Sequence, residues 1–260
     1  GTKIISSGNE AIKIWHPTID RKYLDLLGHR QVCSIAFSPD SSRLVSAGGE
    51  NGTLKVWDLV SGSEVLTLCG HEGRIWSAVF TPDGTQIISG GEDKTLRLWD
   101  AHHGDPSTVL EAHEEAINAV AASPDNRWIA SASADHTIRL WNRSDGRHVR
   151  TLCGHRDEVT CIAFDSDAGY LASGSLDHSI RVWDITTGQA VAQWTHDKLD
   201  RPNTLAFSPD GTVLLSGRAR ADQADPGGAG RGLDRVAGRA GRGGGASGKA
   251  ARGGGPADCA

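Results

Sequence analysis

The stretch "SGGEDKTLRLWD", residues 89–100, decides the fold, because close copies of it stand at residues 131–142 ("SASADHTIRLWN") and 173–184 ("SGSLDHSIRVWD"). Ser, Asp and Trp hold the same places in each copy. The last few residues alternate apolar and basic side chains, the pattern of a strand with one buried and one solvated face. Working outward, Trp15, Trp57, Trp99, Trp141 and Trp183 recur at a constant step of 42 residues. His29, His71, His113 and His155 keep the same step, and His196 follows 41 residues later.

Each unit reads as four short strands. An apolar strand follows the His and ends in "AFSPD", "VFTPDG", "AASPD" or "AFDSDAG", where Pro, Asp and Gly favour a tight turn. A second strand ("QIISG", "WIASA"), the Trp strand and a fourth ("EVLTLCG", "HVRTLCG") complete the unit. Strands at this spacing without helical periodicity specify an all-β chain.

A His near the start, an Asp six residues before a Trp, and Trp-Asp near the end of a four-stranded unit resemble the WD40 repeat. The resemblance covers residues 1–216 and implies a β-propeller with one blade per repeat. Four complete four-stranded blades fall near residues 27–68, 69–110, 111–152 and 153–194, with partial blades at 1–26 and 195–216. It also implies a hydrogen-bonded tetrad in each blade. The three full sets are His71, Ser89, Asp93, Trp99; His113, Ser131, Asp135, Trp141; and His155, Ser173, Asp177, Trp183. The blade from His29 has Ser46 and Trp57, with Asn51 or Glu50 in the Asp place; in the first partial blade that place holds Asn9 or Glu10.

Ser, His and Asp together also suggest a hydrolase. A catalytic triad needs one exposed nucleophile in one cleft with an oxyanion hole. Three copies, each tied to a Trp, fit a structural network instead, so no catalytic residue is expected. No cofactor is implied either, and "AHHGDP" at residues 101–106 offers too few ligands for a metal site.

The resemblance places partner contacts on one face, at the first strand of each blade and just before the tetrad Asp. Those positions hold Gln31 and Cys33, Arg74 and Trp76, Ala116 and Asn118, Glu158 and Thr160, and Arg201 and Asn203. Before the Asp they hold Glu50, Glu92, Ala134 and Leu176. Trp76 stands out, because no repeat rule asks for an indole there, and Arg74 beside it completes a hot-spot composition. The expected function is a non-catalytic scaffold that docks peptides or protein domains, as part of a larger signalling or assembly protein. The alternative is a propeller enzyme, or a sensor module attached to a Ser/Thr kinase.

Charge separates the two ends of the chain. The net charge of −5 divides into −9 over residues 1–216 and +4 over residues 217–260. An acidic body disfavours nucleic acid as the partner, since phosphate binding relies on clustered Lys and Arg. No apolar run approaches the ~18 residues of a membrane span. Five scattered cysteines without a CxxC pair are expected to be reduced thiols in an intracellular, cytoplasmic setting. The chain has no Met and opens inside strand-like "TKIISSG", so its start is read as internal, without information on a signal peptide. Residues 217–260 are rich in Gly, Ala and Arg and are expected to be a disordered tail; it reads as an authentic extension, as an RGG-like nucleic-acid segment or, preferred, as a frameshift or truncation product.

Overall fold

The computed structural model describes residues 4–7, 12–15, 23–26, 28–29, 31–48, 51–195, 200–220 and 233–236. The chain divides into two compact units, Gly1–Val120 and Ala121–Ala260.

The first unit opens with β1 (Ile4–Ser7), β2 (Ile12–Trp15) and β3 (Tyr23–Leu26), a three-stranded antiparallel sheet. Two four-stranded sheets follow in the order in which their strands occur. One holds β4 (Val32–Phe37), β5 (Arg43–Gly48), β6 (Thr53–Asp58) and β7 (Glu64–Cys69); the other holds β8 (Ile75–Phe80), β9 (Gln86–Gly91), β10 (Thr95–Asp100) and β11 (Pro106–Glu111). The boundary between the units falls inside β12 (Ile117–Ala122). That strand heads a sheet with β13 (Trp128–Ser133), β14 (Ile138–Asn142) and β15 (His148–Leu152). In the second unit, β16 (Val159–Phe164), β17 (Tyr170–Ser175), β18 (Ser179–Asp184) and β19 (Ala190–Thr195) form another four-stranded sheet. A three-stranded sheet of β20 (Asp200–Phe207), β21 (Leu214–Arg220) and β22 (Leu233–Val236) completes the described strands.

Among the described residues the architecture is therefore all-β, with four four-stranded antiparallel sheets and two three-stranded ones. The alternating pattern explains the packing. In β6 and β10, Leu54, Val56, Leu96 and Leu98 are buried while Lys55 and Arg97 reach the sheet's other side half-exposed. Neighbouring sheets bury these faces against each other. Val45, Leu54, Val56 and Leu68 of one sheet meet Ile75, Ile87 and Trp99 of the next within the first unit. In the second unit, Ile180 and Val182 share a cluster with Leu205 and Leu214. Burying a side chain of this kind is worth about 1.5–3 kcal/mol.

The turns follow from short side chains that hydrogen-bond the local backbone. Asp83 accepts the Thr81 hydroxyl at 2.6 Å and the Thr85 amide at 3.1 Å; Asp40 takes Ser38 at 2.6 Å and the Ser42 amide at 3.0 Å. These bonds, led by the one from Ser38, hold the Asp40 carboxyl down at about 2. Gly52 occupies the left-handed region at φ 58°, and a Cβ there would lie 2.2 Å from the His71 carbonyl oxygen. Only glycine fits that approach. Lys94, His136 and His178 take the same left-handed conformation immediately after Asp93, Asp135 and Asp177. Gly52 thus marks Asn51, not Glu50, as the residue in the Asp place of the β4–β7 sheet.

The reading of the cysteines needs correction, and part of the tail carries regular structure. β21 continues to Arg220, and β22 lies within residues 217–260, so regular structure extends past the boundary drawn at 216. The sequence reading missed β22 because it carries no Trp to signal a third strand. Residues 221–232 and 237–260 of that tail, together with Asn9, Glu10, Glu50 and His196, lie outside the described residues. Cys33, Cys69 and Cys161 are free, whereas Cys153 is disulfide-bonded, contrary to uniformly reduced thiols. Sequence spacing carries no information on which sulfurs meet in space, although Cys69 and Cys153 are indeed not partners.

Candidate functional site

Four of the first strands, β4, β8, β16 and β20, carry a β-bulge at the same place. The register shifts between Val32 and Ser34, between Ile75 and Ser77, between Val159 and Cys161, and between Pro202 and Thr204. The residues set out of register are Cys33, Trp76, Thr160 and Asn203. A bulge re-aims the extra side chain and interrupts the ladder. Four of the positions proposed for partner contact are therefore defined by one backbone device.

In the first unit the surroundings of this bulge are polar and partly open. Trp76 is half-buried, and the Arg74 guanidinium lies 5.8 Å from the centre of its ring. Glu92 faces Arg74 at 4.0 Å, and its other oxygen accepts the Arg74 amide at 3.1 Å. Both side chains stay about two-fifths exposed, at 40% and 44%. Glycine at 91 permits this arrangement, since a Cβ there would lie 2.2 Å from the Arg74 carbonyl oxygen. Cys33, on the adjacent sheet, shares the neighbourhood. Burial pushes its thiol up, while Arg74 lowers and Glu92 raises it. Gln31 is exposed and Asn118 is half-buried.

In the second unit one of the equivalent residues, Thr160, is turned to internal use. Thr160, in the place of Trp76, donates to the Pro202 carbonyl at 2.6 Å and to the Gly174 carbonyl at 3.2 Å. It links β16 to β20. Glu158 is half-buried and its carbonyl accepts the Leu176 amide at 2.9 Å; Leu176 is also half-buried. Arg201 and Asn203 are exposed. Ser34 works like Thr160 in the first unit, taking the Ala78 amide at 3.1 Å, and Ser77 takes the Val120 amide at 3.2 Å. Neither serine was singled out from the sequence.

The Ser-His-Asp sets assemble as hydrogen-bonded chains. His71 Nε2 lies 2.7 Å from Ser89 Oγ, its Nδ1 lies 2.8 Å from Asp93, and Trp99 Nε1 donates to Ser89 Oγ at 2.8 Å. The chain of His155, Ser173, Asp177 and Trp183 repeats this at 2.7, 3.1 and 2.8 Å. His29 reaches Ser46 at 3.0 Å and Trp57 donates to Ser46 at 2.8 Å, a three-membered version. Of the remaining set, His113 lies buried in the first unit. Ser131, Asp135 and Trp141 lie in the second, where Trp141 donates to Ser131 Oγ at 3.0 Å and Thr137 donates to Asp135 at 2.6 Å.

A further hydroxyl joins these chains. Thr95 Oγ1 lies 3.3 Å from His71 Nδ1, and Ser179 Oγ lies 3.1 Å from His155 Nδ1. The signal was present, since Thr53, Thr95, Thr137 and Ser179 recur at the 42-residue step, two residues after the Asp place. Arg97 and Arg181 cover the indoles, 6.0 and 5.8 Å from the ring centres of Trp99 and Trp183.

Electrostatics fit a closed network. Burial opposes ionisation of Asp93, but hydrogen bonds from His71, the Glu72 amide and Thr95 outweigh it and hold the carboxyl at about 2. Asp177 is lowered further by the same competition, with His155 and Ser179 as its main donors. His155 is itself lowered, because burial outweighs the support of Asp177. Ser89 and Ser173 are each 0% exposed and already accept an indole N–H. A serine so enclosed has no approach for a substrate, whatever its His and Asp neighbours. Among the described residues no group of His, Cys, Asp and Glu could hold a metal ion, and no helix is long and apolar enough to cross a membrane.

With repeated four-stranded sheets and a buried Ser–Trp link recurring in them, the molecule is built from propeller blades. The family described as WD domain, G-beta repeat (WD40) matches at residues 21–58, 62–100, 104–142 and 146–184, together more than half of the chain. The chain belongs to the WD40 family. Each matched segment begins with the outer strand of one sheet and ends with the Trp strand of the next, as 21–58 takes β3 and then β4, β5 and β6. The repeat of the family therefore straddles two blades, and its boundary differs from the sheet boundary read from His. Comparison with curated proteins gives no match. WD40 repeats typically form non-catalytic scaffolds for protein interaction.

Proposed function

We propose that this chain is a non-catalytic docking scaffold whose contact centre is Arg74, Trp76 and Glu92, with Gln31, Cys33 and Asn118 around it. The observation that carries this reading is the half-buried Trp76 on a bulge, with an exposed guanidinium 5.8 Å over its ring and an exposed carboxylate 4.0 Å from that guanidinium. An indole and an arginine held by backbone geometry supply a large contact area at low entropic cost, the composition of interface hot spots. The Arg74–Glu92 pair is loose and solvated, so it contributes little to the fold and is free to exchange partners. The partner is a peptide or protein domain. Glu158, Thr160 and Leu176 of the second unit have a lesser part, Thr160 because its hydroxyl is already spent on Pro202.

The test is direct binding. Proteins captured on the immobilised chain would be purified and titrated against wild type and an Arg74→Ala, Trp76→Ala double variant. Hot-spot loss predicts at least a thirtyfold rise in Kd, about 2 kcal/mol or more, with an unchanged melting profile. A control change at exposed Val191, on β19, should leave Kd unaltered. Equal affinity of wild type and double variant would reject the site.

A further inference from the structure

Among the described residues, Ser216 is a serine in this repeat position whose hydroxyl stands alone. Pairing of β20 with β21 sets Leu205 opposite Ser216 and Phe207 opposite Leu214, as pairing of β16 with β17 sets Ile162 opposite Ser173 and Phe164 opposite Leu171. Ser216 is therefore the counterpart of Ser46, Ser89, Ser131 and Ser173. Each of those accepts an indole N–H at 2.8–3.0 Å. Ser216 is equally buried, at 0% exposure, yet among the described residues its hydroxyl has no hydrogen-bond partner. An unsatisfied buried hydroxyl loses its hydrogen bonds to water without replacement, and native structures rarely keep one without a reason.

The register of β22 gives the reason. Leu233, Asp234, Arg235 and Val236 pair with Gly217, Ser216, Leu215 and Leu214. Ile180, Arg181, Val182 and Trp183 pair in the same way with Gly174, Ser173, Ala172 and Leu171. β22 thus occupies the place of a Trp strand, and Val236 holds the register position that Trp183 holds in β18. It is also short. β21 pairs with β20 through Arg218, Ala219 and Arg220, whereas its pairing with β22 stops at Gly217.

We propose that the β21 edge is a docking groove for a Trp-bearing strand of another polypeptide, which displaces β22 and donates its indole N–H to Ser216. The occupant is an extended segment of the pattern apolar–basic–apolar–Trp–acid. Main-chain pairing along β21 supplies affinity, and the buried Ser216 supplies selectivity for Trp. A folded second copy of this chain is a poor donor, because Trp57, Trp99, Trp141 and Trp183 already bond serines in their own sheets.

The probe is a fluorescent hexapeptide of sequence SIRVWD, that of Ser179–Asp184, titrated by polarisation against the full chain. Saturable binding is expected. Replacing the peptide's Trp by Phe, or Ser216→Ala in the chain, should each weaken it about tenfold, the size of one buried hydrogen bond. The two changes together should cost no more than either alone, because they remove the same bond. Val236→Trp, which supplies the indole within the chain, should raise the melting temperature and abolish peptide binding. Absence of saturable binding, equal affinity for the Phe peptide, or full binding by Val236→Trp would each overturn the proposal. Self-association competed by the peptide would move the occupant to a second copy and overturn the choice of partner. Arg74→Ala with Trp76→Ala should leave peptide affinity unchanged, which separates this groove from the contact centre of the first unit.

Discussion

The sheet β16–β19 and the sheet β20–β22 begin alike and end differently. Their first two strands share a bulge position, a half-buried phenylalanine paired with a buried leucine, and a buried serine. In the first, Ser173 is the junction of a chain running from Trp183 through His155 to Asp177. In the second, Ser216 sits in the same cavity of backbone without such a chain. The same residue is thus an asset in one sheet and a cost in the other. A polar group inside a sheet has no fixed value; its contribution is set by whether its partners arrive with it.

The largest effect should come from removing that serine in each sheet. Ser173→Ala leaves the Trp183 N–H and His155 Nε2 unpaired in a buried site, a loss of about 2–4 kcal/mol. Ser216→Ala removes a hydroxyl whose burial is uncompensated, so stability should stay within about 0.5 kcal/mol or rise. Amide exchange resolves the two sheets separately, which a single unfolding midpoint of a two-unit chain would not. Equal losses of protection in β17 and β21 would show that both serines matter only through packing.

Acid should sharpen the same contrast, with a smaller effect. His155 has its folded value below 6.5 because burial disfavours the imidazolium. Its contribution to stability is therefore complete above the unfolded value near 6.5 and is lost as pH falls through the folded one. Asp177, lowered from 3.8, keeps its contribution until much lower pH. Protection of β17, corrected for intrinsic exchange, should decline between pH 7.5 and 5 in wild type. Asp177→Asn should steepen that decline, since Asp177 supports the protonated ring. A flat profile in both proteins would mean that His155 titrates alike in the folded and unfolded chain.

The four-stranded units were legible because three signals agreed: the 42-residue step, the alternation in "TLRLW" and the Asp-centred turns. Local pattern and global fold reinforce each other there. The bulges were not legible. Trp76 was noticed as an unexplained indole, but only the pairing shows that it, Cys33, Thr160 and Asn203 are the extra residues of their strands. The outer strands hide a second series, since Val65, Val149 and Val191 fall at register shifts opposite the Trp strands and are 42–53% exposed. Alternation cannot reveal a residue that breaks alternation. The difference between Trp76 and Thr160 was equally hidden, because a threonine reads as polar surface until the Pro202 carbonyl is seen 2.6 Å away. β22 escaped for the converse reason: its pairing is regular, but its residues lack the marker by which such strands were found.

The smallest expected effect lies in the sheet β4–β7, which stands between the two extremes. Its serine is paired with His29 and Trp57, but the residue in the Asp place is Asn51. His29 is lowered by burial, with Lys55 adding to the effect, and lacks the aspartate found beside His71 and His155. Asn51→Asp would place a carboxylate where Asp93 and Asp177 stand, before a glycine that already adopts the left-handed turn. The backbone need not move, so the gain is that of one charge-assisted hydrogen bond less the desolvation of an exposed position, about 0.5–1 kcal/mol. Protection of β5 should rise by that amount, and the imidazole of His29 should titrate at higher pH by NMR. If protection rises without any shift of His29, the new carboxylate caps the turn alone, and the chain of His29, Ser46 and Trp57 is complete with three members.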